Sequence, residues 1–129
     1  MFKSFLVTKN MSKKYFEKVS SKFVMDMWEQ DKDMSRGDLL KRVQGKSAIL
    51  CTLVDKIDSE LLDAAGPQLK TVSTLSVGYD HIDLEECRKR GVLIGNTPDV
   101  LTDAVAELTI ALLLATLRRF FEAHKALRE

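Results

Sequence analysis

The chain is poor in the residues that build phosphate cradles. Its six glycines, Gly37, Gly45, Gly66, Gly78, Gly91 and Gly95, cannot be assembled into a G-x-G-x-x-G or Walker-type loop. Only glycines let a backbone approach a pyrophosphate, so the chain is expected to hold no cofactor phosphate site of its own. Cysteine is equally scarce. Cys51 lies in an apolar run and Cys87 on an expected helix, too distant for a metal-type pair and too few for a disulfide framework. They read as reduced thiols, and the expected compartment is cytoplasmic. Neither charge sign dominates: 20 Lys and Arg stand against 19 Asp and Glu, interleaved as solvated faces. Nothing in that balance suggests nucleic acid or an anionic membrane surface. Long apolar runs are missing too. The amino-terminal stretch is too short for a signal segment, and the longest tract, 104–117, contains Glu107 and falls short of the roughly 20 residues a bilayer needs.

Histidines number only two, His81 and His124, and no Ser/His/Asp constellation or zinc-ligand cluster follows from order and spacing. His81 is expected in a surface or capping role, and His124 in the charged tail of the last helix. A phosphoaspartate receiver would need carboxylates just after strands one and three. Thr8-Lys9-Asn10 and Cys51-Thr52-Leu53 stand there instead.

What is present is a regular alternation of strand-like and helix-like segments. Strands are expected at 5–8, 23–28, 47–52, around 72–77 and at 92–96. Between them, a polar helix is expected from Ser12 to about Ser20, with Tyr15, Phe16 and Val19 on one face. Ser35 and Asp58 offer acceptor side chains at helix entries, and Gly45 and Gly66-Pro67 mark helix ends. Asp83-Leu84-Glu85-Glu86 has the spacing of a capping box, in a helix closed by Gly91. Trp28 and its neighbouring methionines are assigned to the core rather than to a binding platform. Five strands joined by short crossovers predict an α/β domain, a flavodoxin-like doubly wound parallel sheet. A last helix is expected to run from Asp103 to Glu129, apolar nearly all round for its first four turns. Such a helix needs cover on more than one side.

The central stretch is Val72-Ser73-Thr74-Leu75-Ser76-Val77-Gly78-Tyr79-Asp80-His81-Ile82-Asp83. It opens as a buried strand and breaks at Gly78. In open α/β sheets ligands sit beyond the carboxyl ends of the strands, where free N–H groups and a residue without Cβ leave room for an anion. From spacing alone, an ordinary turn in which Gly78 serves only backbone geometry is the more economical reading. Leu53, after strand three, is expected at the same sheet edge, either lining a pocket or packing as a loop leucine.

Two tracts carry a resemblance to a known family. Asp63 to Asp83, and Arg90-Gly91-Val92-Leu93-Ile94-Gly95-Asn96-Thr97-Pro98-Asp99-Val100-Leu101-Thr102-Asp103-Ala104-Val105-Ala106-Glu107, resemble the D-isomer-specific 2-hydroxyacid dehydrogenases. The Asn-Thr-Pro-Asp-Val-Leu-Thr-Asp tract looks most like the glyoxylate and hydroxypyruvate reductases. The resemblance implies a substrate-binding domain over 1–102 and an interdomain helix over 103–129. It also implies NADPH or NADH as cofactor, glyoxylate or hydroxypyruvate as substrate, and a homodimer in the full-length enzyme. By the same resemblance, the amides of Val77 and Gly78 hold the substrate carboxylate and Leu53 lines the pocket. Val77 and Val105 approach the nicotinamide, although relatives often carry threonine at the latter position. The family's glycine-rich loop, its arginine and its glutamate–histidine pair match nothing in this sequence, so no catalytic residue and no metal ligand is assigned. The chain then reads as the amino-terminal piece of such a reductase, inactive alone and without tight cofactor binding. The alternative is a non-catalytic interaction or self-association module that uses the apolar last helix.

Overall fold

The computed structural model describes residues 3–128. Met1, Phe2 and Glu129, the last of which ends the expected final helix, lie outside the described residues. The chain forms two compact units, with the boundary between Pro98 and Asp99.

The first unit is a five-stranded parallel sheet in the order β2-β1-β3-β4-β5, built from β1 (Ser4–Val7), β2 (Val24–Met27), β3 (Ala48–Cys51), β4 (Thr71–Thr74) and β5 (Leu93–Gly95). Flavodoxin-like topology is therefore as expected. Because side chains alternate along a strand, each strand feeds two cores. Leu6, Ile49, Cys51 and Val72 point to one face, where they pack with residues of α2 (Arg36–Arg42), α3 (Ser59–Ala65) and α4 (Leu84–Lys89). Phe5, Val7 and Met27 point to the other and meet Phe16, with Phe23 edge-on to Phe5 at 6.5 Å between ring centroids. Trp28 is buried in the first core and donates its indole N–H to Lys32 O at 2.7 Å, as a core residue should.

Helix entries follow the sequence rules. Ser35, Asp58 and Asp83 each accept the amide three residues on, from Asp38, Leu61 and Glu86. Gly45, Gly66 and Gly91, all at positive φ, follow the ends of α2, α3 and α4.

Three expectations need correction. The Ser12–Ser20 helix is a 3-10 turn, Lys13–Phe16, followed by a single helical turn, α1 (Glu17–Ser20). Only Phe16 is buried there, against Phe5 of the sheet, while Tyr15 is 74% exposed and Val19 is exposed too, because two short turns present a single side chain to the sheet rather than a continuous helical face. The capping box is half formed. Asp83 Oδ1 accepts from the Glu86 amide at 2.9 Å, but the Asp83 N–H is taken by Ile57 O at 2.8 Å, so the Glu86 carboxylate turns to Lys89 and Arg90 instead. Finally, the terminal helix is two helices. In the second unit α5 (Thr102–Leu117) ends where Arg119 enters the left-handed region at φ 50°, and α6 (Phe120–Ala126) begins. The break resembles a glycine-type helix stop made by an arginine: Arg118 N–H closes on Leu114 O, and the Arg119 guanidinium is held by Glu122 at 2.8 Å. No helix among the described residues is long and apolar enough to cross a membrane.

Candidate functional site

Strands β3 and β4 are neighbours in register, Cys51 beside Thr74, so the loops that follow them emerge together at the carboxyl edge of the sheet. Leu53 is in the first loop and Val77 and Gly78 in the second, and both loops present these residues to solvent. Val105 lies on α5, in the second unit.

The first loop is braced by a carboxylate to which sequence reasoning gave no role. Asp55, 3% exposed, accepts from Thr8 Oγ1 at 2.6 Å, from the Thr52 amide at 2.8 Å and from Thr52 Oγ1 at 3.0 Å. These bonds satisfy a buried polar side chain and close a tight turn from which Leu53 projects, 62% exposed. The signal was the Thr-x-x-Asp spacing, which lets a carboxylate reach the amide three residues back.

The second loop is held by its carbonyls. Ser76 O accepts from the Thr97 amide at 3.0 Å, Val77 O from Asn96 Nδ2 at 2.9 Å, and Gly78 O from Ser76 Oγ at 2.7 Å. In a trans peptide the N–H of the next residue points opposite to the carbonyl, and no peptide bond among the described residues is cis. The amides of Val77 and Gly78 therefore point away from the Asn96–Thr97 segment. No acceptor among the described residues takes either of them. Two adjacent unengaged donors on an exposed turn are the arrangement that binds an anion through backbone N–H groups.

Beneath the turn lies His81, and the chain of hydrogen bonds around it fixes its tautomer. Ser76 gives its proton to Gly78 O, so at 2.7 Å it accepts from Thr74 Oγ1; Thr74 then accepts from His81 Nε2 at 3.1 Å. Nε2 carries the hydrogen and Nδ1 is buried without a partner. His81 is thus half-buried rather than a surface or capping residue, and it braces the turn through Thr74.

Other reactive groups are muted. Burial pushes the Cys51 thiol up to about 12, and burial also raises Cys87. Both cysteines are free and buried. Among the described residues no group of three His, Cys, Asp or Glu is gathered as a metal site would require. The apolar hollow bounded by Phe5, Phe16, Phe23 and Leu50 lies on the α1 face of the sheet, away from the two loops.

With this geometry in view, residues 4–128 match the model of the D-isomer specific 2-hydroxyacid dehydrogenase catalytic domain. The chain belongs to that family. It is 56% identical over 94 residues to a glyoxylate reductase of Thermofilum pendens, a match covering 73% of this chain and 27% of that protein. It superposes on the TT0316 protein of Thermus thermophilus with a TM-score of 0.82 at 38% identity, covering 97% of this chain and 40% of that one. A Sinorhizobium meliloti NADPH-dependent glyoxylate/hydroxypyruvate reductase, solved with NADP and malonate, gives a TM-score of 0.72 at 32% identity, over 99% of this chain and 38% of the other. This family member thus spans well under half the length of each of these relatives.

Proposed function

We propose that this chain supplies the carboxylate-binding half of the cleft of a glyoxylate/hydroxypyruvate reductase. In that role its Val77 and Gly78 amides hold the substrate's carboxylate while hydride is delivered to the 2-oxo carbon. The carrying observation is the pair of adjacent, outward-facing amides at the carboxyl edge of the sheet, unclaimed by any acceptor among the described residues. Support comes from the relatives named for this reaction and from the malonate, itself a carboxylate, present with the Sinorhizobium enzyme.

Chemically, two N–H groups in a fixed turn bind a carboxylate without the help of a cationic side chain, and they fix its orientation as well as its position. Leu53, projecting from the neighbouring loop, supplies an apolar wall against the substrate carbon. The reductant in this class is a nicotinamide dinucleotide. The described residues do not fit its pyrophosphate: Gly45, Gly66 and Gly91, the left-handed glycines, all follow helix ends rather than opening a helix after a strand. No step is therefore assigned to this chain beyond substrate binding and orientation, with Val77 and Val105 as the residues proposed to approach the nicotinamide in the complete enzyme.

Titration of the isotopically labelled chain with sodium glyoxylate tests the reading. Amide resonances of Val77 and Gly78 should move furthest and saturate together. Movement confined to other residues, or none, rejects it.

A further inference from the structure

We infer that Asn96 is a positioning residue for the carboxylate-binding turn, acting through the carbonyl of the same peptide unit whose N–H serves as donor. The inference rests on the proposed role of Val77 and Gly78 and adds to it the device that aims them.

Ser76, Val77 and Gly78 are beyond the end of β4, and the β4–β5 ladder stops at the pair Ser73–Gly95. On the β3 side regular bonding ends at the Leu75 N–H, which reaches Cys51 O at 3.0 Å, and beyond it no regular sheet bond constrains Ser76 to Gly78. A peptide plane at an exposed loop can rotate about its flanking φ and ψ at little cost, and an N–H that rotates is a poor anion donor. Here the segment following β5 takes over. Thr97 N–H fixes the Ser76–Val77 plane through Ser76 O, and Asn96 Nδ2 fixes the Val77–Gly78 plane through Val77 O. Only the NH2 end of an asparagine can donate to a carbonyl, so the side-chain amide's orientation is settled by its partner.

The two contacts differ in what sequence can change. Thr97 acts through its backbone, which any residue but proline supplies. The Asn96 contact belongs to its side chain, which is short enough to reach sideways from the end of β5 and carries a donor at its tip. Asn96 is solvent-exposed, and its Nδ2 bond to Val77 O is the hydrogen bond its side chain makes among the described residues. A side chain so placed adds little to folding. Its effect falls on the direction of one N–H, that of Gly78.

The test separates orientation from binding. In partially aligned Asn96→Ala protein, the N–H dipolar coupling of Gly78 should depart from that of the wild type while couplings across β3 and β4 stay the same. Apparent glyoxylate affinity, read from the Val77 and Gly78 resonances, should fall about three- to tenfold, the effect of losing one well-made hydrogen bond. Asn96→Leu, which keeps the branching at Cγ and removes the donor, should behave as the alanine variant does. An unchanged Gly78 coupling in both variants overturns the inference, as does a changed coupling with undiminished affinity. If the wild type itself shows no response to glyoxylate, the carboxylate reading fails, and the dipolar coupling still decides whether Asn96 sets the plane.

Discussion

At Gly78 the fold and the proposed site make different demands on one residue. A Cβ built there meets only Asp80 Oδ2, at 3.9 Å, and the backbone is not in the left-handed region, so the fold has room for alanine. A carboxylate bound as proposed would lose that room, because a methyl group would stand beside the Gly78 amide. Gly78→Ala should leave the urea midpoint unchanged, or raise stability by up to about 1 kcal/mol through a less flexible unfolded chain, while abolishing the glyoxylate response of the Val77 and Gly78 amides. Cys51 gives a second prediction, in pH. Its thiol is raised by burial from 9.0 to about 12, so the protonated form is the one the fold favours. Its contribution is complete below pH 9.0 and is lost as pH rises toward 12, where the unfolded chain ionises first. Urea midpoints should therefore decline through that window, and the decline should be shallower in Cys51→Ala.

Among the elements, α4 separates a cap that works from one that only looks right. Asp83 accepts the Glu86 amide at the helix entry, whereas Glu86 is engaged by Lys89 and Arg90 on the surface. Asp83→Ala should cost about 0.5–2 kcal/mol in urea unfolding, and Glu86→Gln clearly less, because its partners Lys89 and Arg90 are surface cations. Equal losses would mean that the reciprocal bond forms after all. The loop after β3 stands in contrast. Its buried Asp55 gathers three donors, so replacing it with alanine strands the Thr8 hydroxyl and the Thr52 amide in the interior. Spacing could announce Asp83 because a helix cap is local. It could not announce the fate of Glu86, which was decided by Ile57 arriving from another loop to occupy the Asp83 N–H.

For the whole molecule, the proposed division of labour predicts that the purified 129-residue chain will not oxidise NADPH with glyoxylate or hydroxypyruvate above a protein-free blank. Turnover in a preparation free of host reductases would contradict it. The sheet was legible because each strand alternates apolar residues and each crossover carries its own caps and stops, from Ser35 to Gly91. The candidate site was legible only in outline. Val77 and Gly78 stood out through the strand-to-glycine break, and Leu53 through its matching place after β3. Asn96, Asp55 and the inward turn of His81 did not, since each acts on a residue brought to it by the sheet from at least 7 positions away, or through a bond that satisfies a loop rather than a helix. The break at Arg119 was hidden for a different reason: neither glycine nor proline marks it.

The amino-acid order by itself determined the alternation of elements, the parallel sheet and the edge at which a ligand would lie, because periodicity, caps and turns act over a few residues at a time. Which way the Val77 and Gly78 amides face was decided only in the folded chain. That direction depends on carbonyls held by Asn96 and Thr97, about 20 residues further along, and only the register of β4 against β5 brings them together.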